Sequence, residues 1–302
     1  MNQLPITLVN LGSQAAGAMN FQRDSLWLRM SAPMGHKATG IPVYLVNPDQ
    51  MDALYPPKRL QFLNPECVRR WAEEVRRREA GIREESREVG EGEARREGRP
   101  SPWECLDEEM TYRYRWVVAV GLYVSDFGTK ELQTIRVSGS SPAGAGPTGG
   151  PAIVLSPERI VGWAQRAGVS PDLVLDKVYY HELGHALMDT GPTPYEEPWA
   201  RVVEESLANW IAYRSFHGLE AVQVQRLMQE QPLEYRGYAV LEDPDFARDL
   251  SKAVGCRWRL RPLDLEGGVP LSVLSEWRGA KRGRLDSKLW ARVAERILLH
   301  LV

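Results

Sequence analysis

The chain has 302 residues, 43% hydrophobic and 26% charged, with a formal net charge of −2 at pH 7. That balance describes a folded protein with a substantial core, and the near-neutral charge argues against nucleic acid or an anionic membrane surface as a partner. The longest apolar run, Trp116–Val124, is far shorter than the roughly 20 residues that span a bilayer, and the first residues lack the basic and apolar segments of a secretory signal, so a cytoplasmic protein is expected.

Residues 1–64 mix short apolar runs with Gly and Pro, as in "PITLVNLG" and "IPVYLVNPDQM", and read as a few short strands or irregular structure. From Asn64-Pro65, a plausible N-cap and first helical residue, the chain becomes dense in Glu and Arg up to about residue 100. This part reads as a charged helix or connector. Three stretches then carry strand composition: Tyr114–Asp126, "ELQTIRV" (Glu131–Val137) and "AIVL" (Ala152–Leu155). The glycine-rich stretch "SGSSPAGAGPTGGP" before the last of these lacks the Gly-Lys-Ser/Thr of a phosphate loop and reads as a connector. Cys67, Cys105 and Cys256 are odd in number, far apart and in no CxxC pair. Reduced thiols are expected, rather than a disulfide framework or a thiolate metal site.

Helices follow. Ser156-Pro157-Glu158 opens one that ends at Gly168, and Ser170-Pro171-Asp172 opens a second running to about Asp189. After the loop "TGPTPYEEP" comes a third, "WARVVEESLANWIAYRSF". The C-terminal part holds "DPDFARDLSKAVG", a loop-rich stretch and a final helix, "DSKLWARVAERILLHLV".

The second helix contains "HELGH", His181 to His185. Four residues on a helix turn about 40° and rise about 6 Å, so both imidazoles project from one face to one point. Glu182 lies about 100° around, placed to reach a water beside the metal without being a ligand. The surrounding helix is apolar nearly all round, hence buried, and two histidines and a glutamate inside it need a partner such as a divalent cation.

Catalytic zinc takes three protein ligands and one open position. Histidine completion of the metzincin kind would need Gly at 188 and His at 191, where the sequence has Met188 and Gly191. A glutamate on the next helix is the other common solution, and Glu204 and Glu205 compete for it. Glu205 shares a stripe with Val202, Asn209, Ala212 and Phe216 that can pack on the metal helix. Asn209, one turn on, is placed to orient a ligand histidine through its outer nitrogen. The remaining glutamate reads as a solvated helix charge or an N-terminal one favoured by the helix dipole. His36, His217 and His300 have no supporting pattern.

"HELGH" followed by "ESLAN" resembles the gluzincin metallopeptidases, and in its Glu-x-x-Ala-Asn form the small bacterial and phage-type zinc peptidases, including the ImmA/IrrE-like group. The resemblance covers roughly residues 115–215. It implies a zincin-like core with a small mixed sheet, the HExxH helix and a glutamate helix, and says nothing about the first hundred residues or the last eighty or so. With the helical pattern read above for the C-terminal part, the expected fold is α+β with a mainly helical C-terminal extension. The corresponding division is 1–64, 65–100, a core at 101–218, and 219–302 packed on it. One Zn2+ on His181, His185 and Glu205, Glu182 as general base, Asn209 in support and Tyr195 as transition-state stabiliser would hydrolyse a peptide or protein, bound by addition to an edge strand. Two alternatives remain at this point: a zinc-binding regulatory or partner-binding module without proteolysis, and a single-strand nucleic-acid binder using the basic, Trp-bearing "CRWRLRP" and "EWRGAKRGR".

Overall fold

The computed structural model describes residues 6–21, 32–88, 101–105, 115–137, 149–243, 245–246, 269–283 and 285–302. Its central sheet has four short strands, β1 (Leu8–Asn10), β2 (Val43–Leu45), β5 (Gly121–Val124) and β6 (Ala152–Leu155), in the order β1-β2-β6-β5. The first three in that order run parallel, whereas β5 pairs antiparallel with β6 and forms an edge. β3 (Lys58–Leu60) and β4 (Arg115–Val117) make a separate antiparallel pair. The segment 1–64 thus supplies half the strands of the sheet on which the site is built.

Side-chain alternation gives the sheet two buried faces. Val43, Leu45, Ile153 and Leu155 join the larger core, while Tyr44, Val46, Ala152 and Val154 join a smaller one. The larger core is covered by α5 (Pro157–Ala167), α6 (Pro171–Met188), α7 (Pro198–Tyr213), α8 (Gly218–Gln229) and α11 (Ser287–Leu301). The smaller lies under α2 (Pro48–Leu54) and α4 (Thr129–Val137), where Tyr44 stacks on Phe127 at 4.6 Å. The remaining helices are α1 (Ala32–Thr39), α3 (Pro65–Glu88), the short α9 (Tyr238–Leu241) and α10 (Val269–Arg282). This is a mixed α+β arrangement, mostly helical, with a small mixed sheet. Among the described residues no helix is long and apolar enough to cross a membrane.

The start and stop signals act as their chemistry dictates. Ser170 caps α6 by accepting from the Asp172 N–H, and Gly168 ends α5 in the left-handed region at φ +65°, where only glycine is unstrained.

Three expectations are corrected. "ELQTIRV" is helical, not extended: Leu132 and Ile135, three apart, both reach the small core, and the Glu131 carboxylate accepts from the Gly128 N–H at the start of α4. The stretch 114–126 is not one strand; β4 and β5 belong to different sheets, with Val118 exposed between them. Cys67 and Cys105 are not free thiols but a disulfide, which ties the start of α3 to the turn Pro102–Cys105. The charged stretch beyond Glu88, loop residues 138–148, Cys256, "CRWRLRP" and most of "DPDFARDLSKAVG" lie outside the described residues.

Candidate metal centre

Two glycines bring the site together. In α6, a Cβ on Gly184 would stand 3.1 Å from Ala208 Cα of α7, so the central glycine of "HELGH" lets the two helices cross closely. That crossing carries Glu205 to the histidine face. On the other side Gly121 brings β5 against the same helix: a Cβ there would meet Val178 Cγ1 at 2.6 Å and Glu182 Oε1 at 2.8 Å.

His181, His185 and Glu205 thereby form a buried group that can hold a metal ion. The two Nε2 atoms are 3.2 Å apart, and Glu205 Oε2 lies 3.2 Å from His181 Nε2 and 3.6 Å from His185 Nε2. Tetrahedral ligation at about 2.0–2.1 Å requires ligand atoms about 3.3 Å apart. The triangle has that size, and Glu205 Oε2 is a buried oxygen without a well-formed hydrogen bond. A divalent cation satisfies all three atoms. The neighbouring Glu204 points elsewhere, its Oε1 lying 3.5 Å from the outer nitrogen of His185, Nδ1. It is 2% exposed, so the expectation of a solvated helix charge is corrected.

Electrostatics follow from burial. Glu182 is buried, which pushes its carboxyl up to about 7, while His185, Lys177 and the Tyr123 backbone N–H pull the other way. Burial lowers His181, assisted by the Lys177 charge, to about 4. For His185 burial is outweighed by Glu205 and Glu204, which hold the imidazole up at about 10. Glu205 is held far below the usual carboxylate range: burial works against this, but the His185 charge and both imidazole contacts prevail. Lys177, buried one turn before His181 with its ammonium over the Trp163 ring, is lowered by burial to about 8.

No hydrogen bond joins Asn209 to either histidine, although its Oδ1, like His181 Nδ1, is buried without a partner. Its amide donates to the Tyr235 carbonyl at 2.8 Å and to Gln231 Oε1 at 3.1 Å, because the turn Leu233–Tyr235 packs on this face of α7; the nitrogen behind His185 is served by Glu204. Tyr195 does reach the site: its ring is 40% exposed, and its hydroxyl lies 3.3 Å from His185 Nδ1. Arg201, one turn before Glu205, fixes that loop by donating to the Tyr195 carbonyl and, across the fold, to the Gln61 carbonyl. His36 and His217 are exposed and distant from the triangle in sequence and element; His300 Nδ1 lies 3.0 Å from the Arg296 carbonyl of its own helix.

Several neighbours carried no sequence signal. Tyr235 stacks beside His181, ring centroids 6.5 Å apart, and burial together with Glu205 raises its phenol well above the ordinary range. Tyr123, on β5, donates through its hydroxyl to Asp189 at 2.6 Å, fastening the edge strand to the end of α6. From "EWRGAKRGR", Trp277 and Lys281 are buried against Glu204 rather than offered as a stacking surface. The nucleic-acid expectation for that segment loses the exposed aromatic it requires.

No family model, curated protein or solved structure matches the chain.

Proposed function

We propose that the protein is a zinc-dependent peptidase with a zincin-like core, holding one Zn2+ on His181 Nε2, His185 Nε2 and Glu205. The observation that carries this reading is the conjunction of a ligand triangle of tetrahedral size with a desolvated glutamate, both under an edge strand. A structural metal needs no such glutamate. When bound, the ion supplies Lewis acidity at a scissile carbonyl.

The chain supplies the rest. Glu182, buried beside the ligand triangle, takes a proton from the attacking water and returns it to the leaving amine. With Nε2 facing the ion, the His185 proton resides on Nδ1, where Glu204 Oε1 at 3.5 Å and Tyr195 Oη at 3.3 Å share it, and the Tyr195 O–H is left to donate toward a developing oxyanion. β5 offers an extended peptide the unpaired side of its backbone.

Glu182→Gln is the direct test, with metal content and cleavage of a peptide library as readouts. Zinc should remain at one per chain while cleavage falls by roughly 10²–10⁴-fold. Undiminished cleavage refutes the assignment of the base. Zinc binding without cleavage by the unmodified chain would instead favour a non-proteolytic zinc module.

A further inference from the structure

Helix α10 falls, by sequence, in an extension beyond the core. Its docking is intimate nonetheless. Thr190, just past the metal helix, donates through its hydroxyl to the Arg278 carbonyl at 2.9 Å. A Cβ at Gly191 would fall 2.1 Å from the Lys281 carbonyl oxygen, so no other residue fits that approach. The contact seats two α10 side chains on Glu204. The Trp277 indole N–H donates to Glu204 Oε2, and Lys281 Nζ donates to Oε1 at 3.3 Å and to Oε2 at 3.5 Å. Trp277 is itself clamped edge-on by Trp290 of α11, ring centroids 4.7 Å apart. Trp277, Lys281 and Glu204 are all buried.

An ion pair so deep is a weak source of stability, because desolvation offsets its attraction and apolar residues would serve as well. Orientation explains it better. A glutamate with both oxygens engaged from behind has one direction left, toward His185 Nδ1 at 3.5 Å. We infer that α10 is part of the metal centre: Trp277 and Lys281 are positioning residues that aim Glu204 at His185 Nδ1, fixing the tautomer and ring orientation that leave Nε2 to the metal. The inference rests on the zinc reading proposed above. Partners of this kind change metal affinity by about 10–100-fold.

The two effects of Lys281 have opposite signs. Loss of a nearby positive charge would by itself tighten binding of a cation, whereas loss of aim weakens it. The test is zinc affinity of the full chain, by competition with a chelator, together with the visible spectrum of the Co2+ form. Trp277→Phe, which changes no charge, and Lys281→Met should each weaken zinc about 10–100-fold and alter the Co2+ spectrum; Lys281→Arg should restore most of the affinity. In Glu204→Gln the further change Lys281→Met should cost nothing more, and that pair avoids a buried unpaired carboxylate should the single variant not fold. Unchanged affinity in folded Trp277→Phe, tightened affinity in Lys281→Met, or additive losses in the double variant overturn the inference. Glu205→Ala separates the premise: retention of wild-type zinc affinity there, or no zinc binding by the unmodified chain, refutes the metal site itself.

Discussion

Gly121→Ala tests the contact between the edge strand and the metal helix with a single methyl. The backbone tolerates alanine, since φ at Gly121 is outside the left-handed region; the obstacle is space. The added carbon would lie 2.6 Å from Val178 Cγ1, 2.8 Å from Glu182 Oε1 and 3.0 Å from Glu182 Cγ, against about 3.5–4.0 Å for relaxed carbon contacts. Val178 is buried and β-branched, with one preferred helical rotamer, so it cannot turn aside. Either β5 moves out or the Glu182 side chain is displaced. Overpacking of this kind costs about 1–3 kcal/mol, a fall in melting temperature of about 2–6 °C for a chain of this size. A displacement of about 1 Å at the base costs on the order of 10² in rate. Thermal unfolding, zinc affinity and peptide cleavage measured on one preparation separate these effects: the melt and kcat should fall while zinc affinity stays within about twofold, because no ligand moves. A variant that melts and turns over like the parent would refute this placement of β5.

Three further outcomes are expected. The Cys67–Cys105 bridge closes a separation of 38 residues, so Cys67→Ser or reduction should lower stability in denaturant titrations by about 3–4 kcal/mol; insensitivity to reductant would contradict the bond. Glu234 is fully buried, and burial raises its carboxyl to about 7, so its contribution is fully present below about pH 4.5 and lost as pH rises through 7, by up to about 3 kcal/mol; Glu234→Gln should flatten that part of the stability–pH curve, and parallel curves would refute it. His185, held up at about 10 without metal, must lose its proton to become a ligand, so zinc uptake at pH 6, below the value of about 7 to which zinc lowers its water, should release close to one proton, seen by calorimetry in buffers of different ionisation enthalpy; zero release would show that His185 starts neutral.

Helix α6 and its candidate ligands were legible because their information is local. His181, Glu182 and His185 sit within one turn and a half, the Ser-Pro-Asp start is explicit, and Glu205 follows on a helix with a readable stripe. What was misread depends on distant partners. Leu132 and Ile135 suit a strand by composition but bury with helical spacing, a choice made by the floor of Tyr44 and Phe127. The Asn209 NH2 group is engaged by the turn carrying Tyr235, a partner the sequence does not announce. Glu204 reads as an ordinary surface charge until Trp277 and Lys281 come to it from more than seventy residues away. The cysteines escaped because pairing follows from chain path, not spacing.

The same distant partners explain the charge state of the centre. Lys177, Glu182, His185, Glu204, Glu205 and Lys281 act on one another across buried space. With carboxylates ionised and both lysines charged, three negative charges face two positive ones, and the set lacks one positive charge. Protonation of His185 removes the deficit, which is why its neighbours hold that proton so firmly. A divalent cation in the ligand triangle, with His185 neutral, more than removes it, turning the deficit of one into an excess of one positive charge. Helix α10 enters this balance through Lys281, which pairs with the carboxylate behind His185, while Glu205, in front, faces the two imidazoles of the triangle. The residue that most needs a cation is therefore the one that faces the triangle, and the lysines keep the competing carboxylates from drawing the ion away from it.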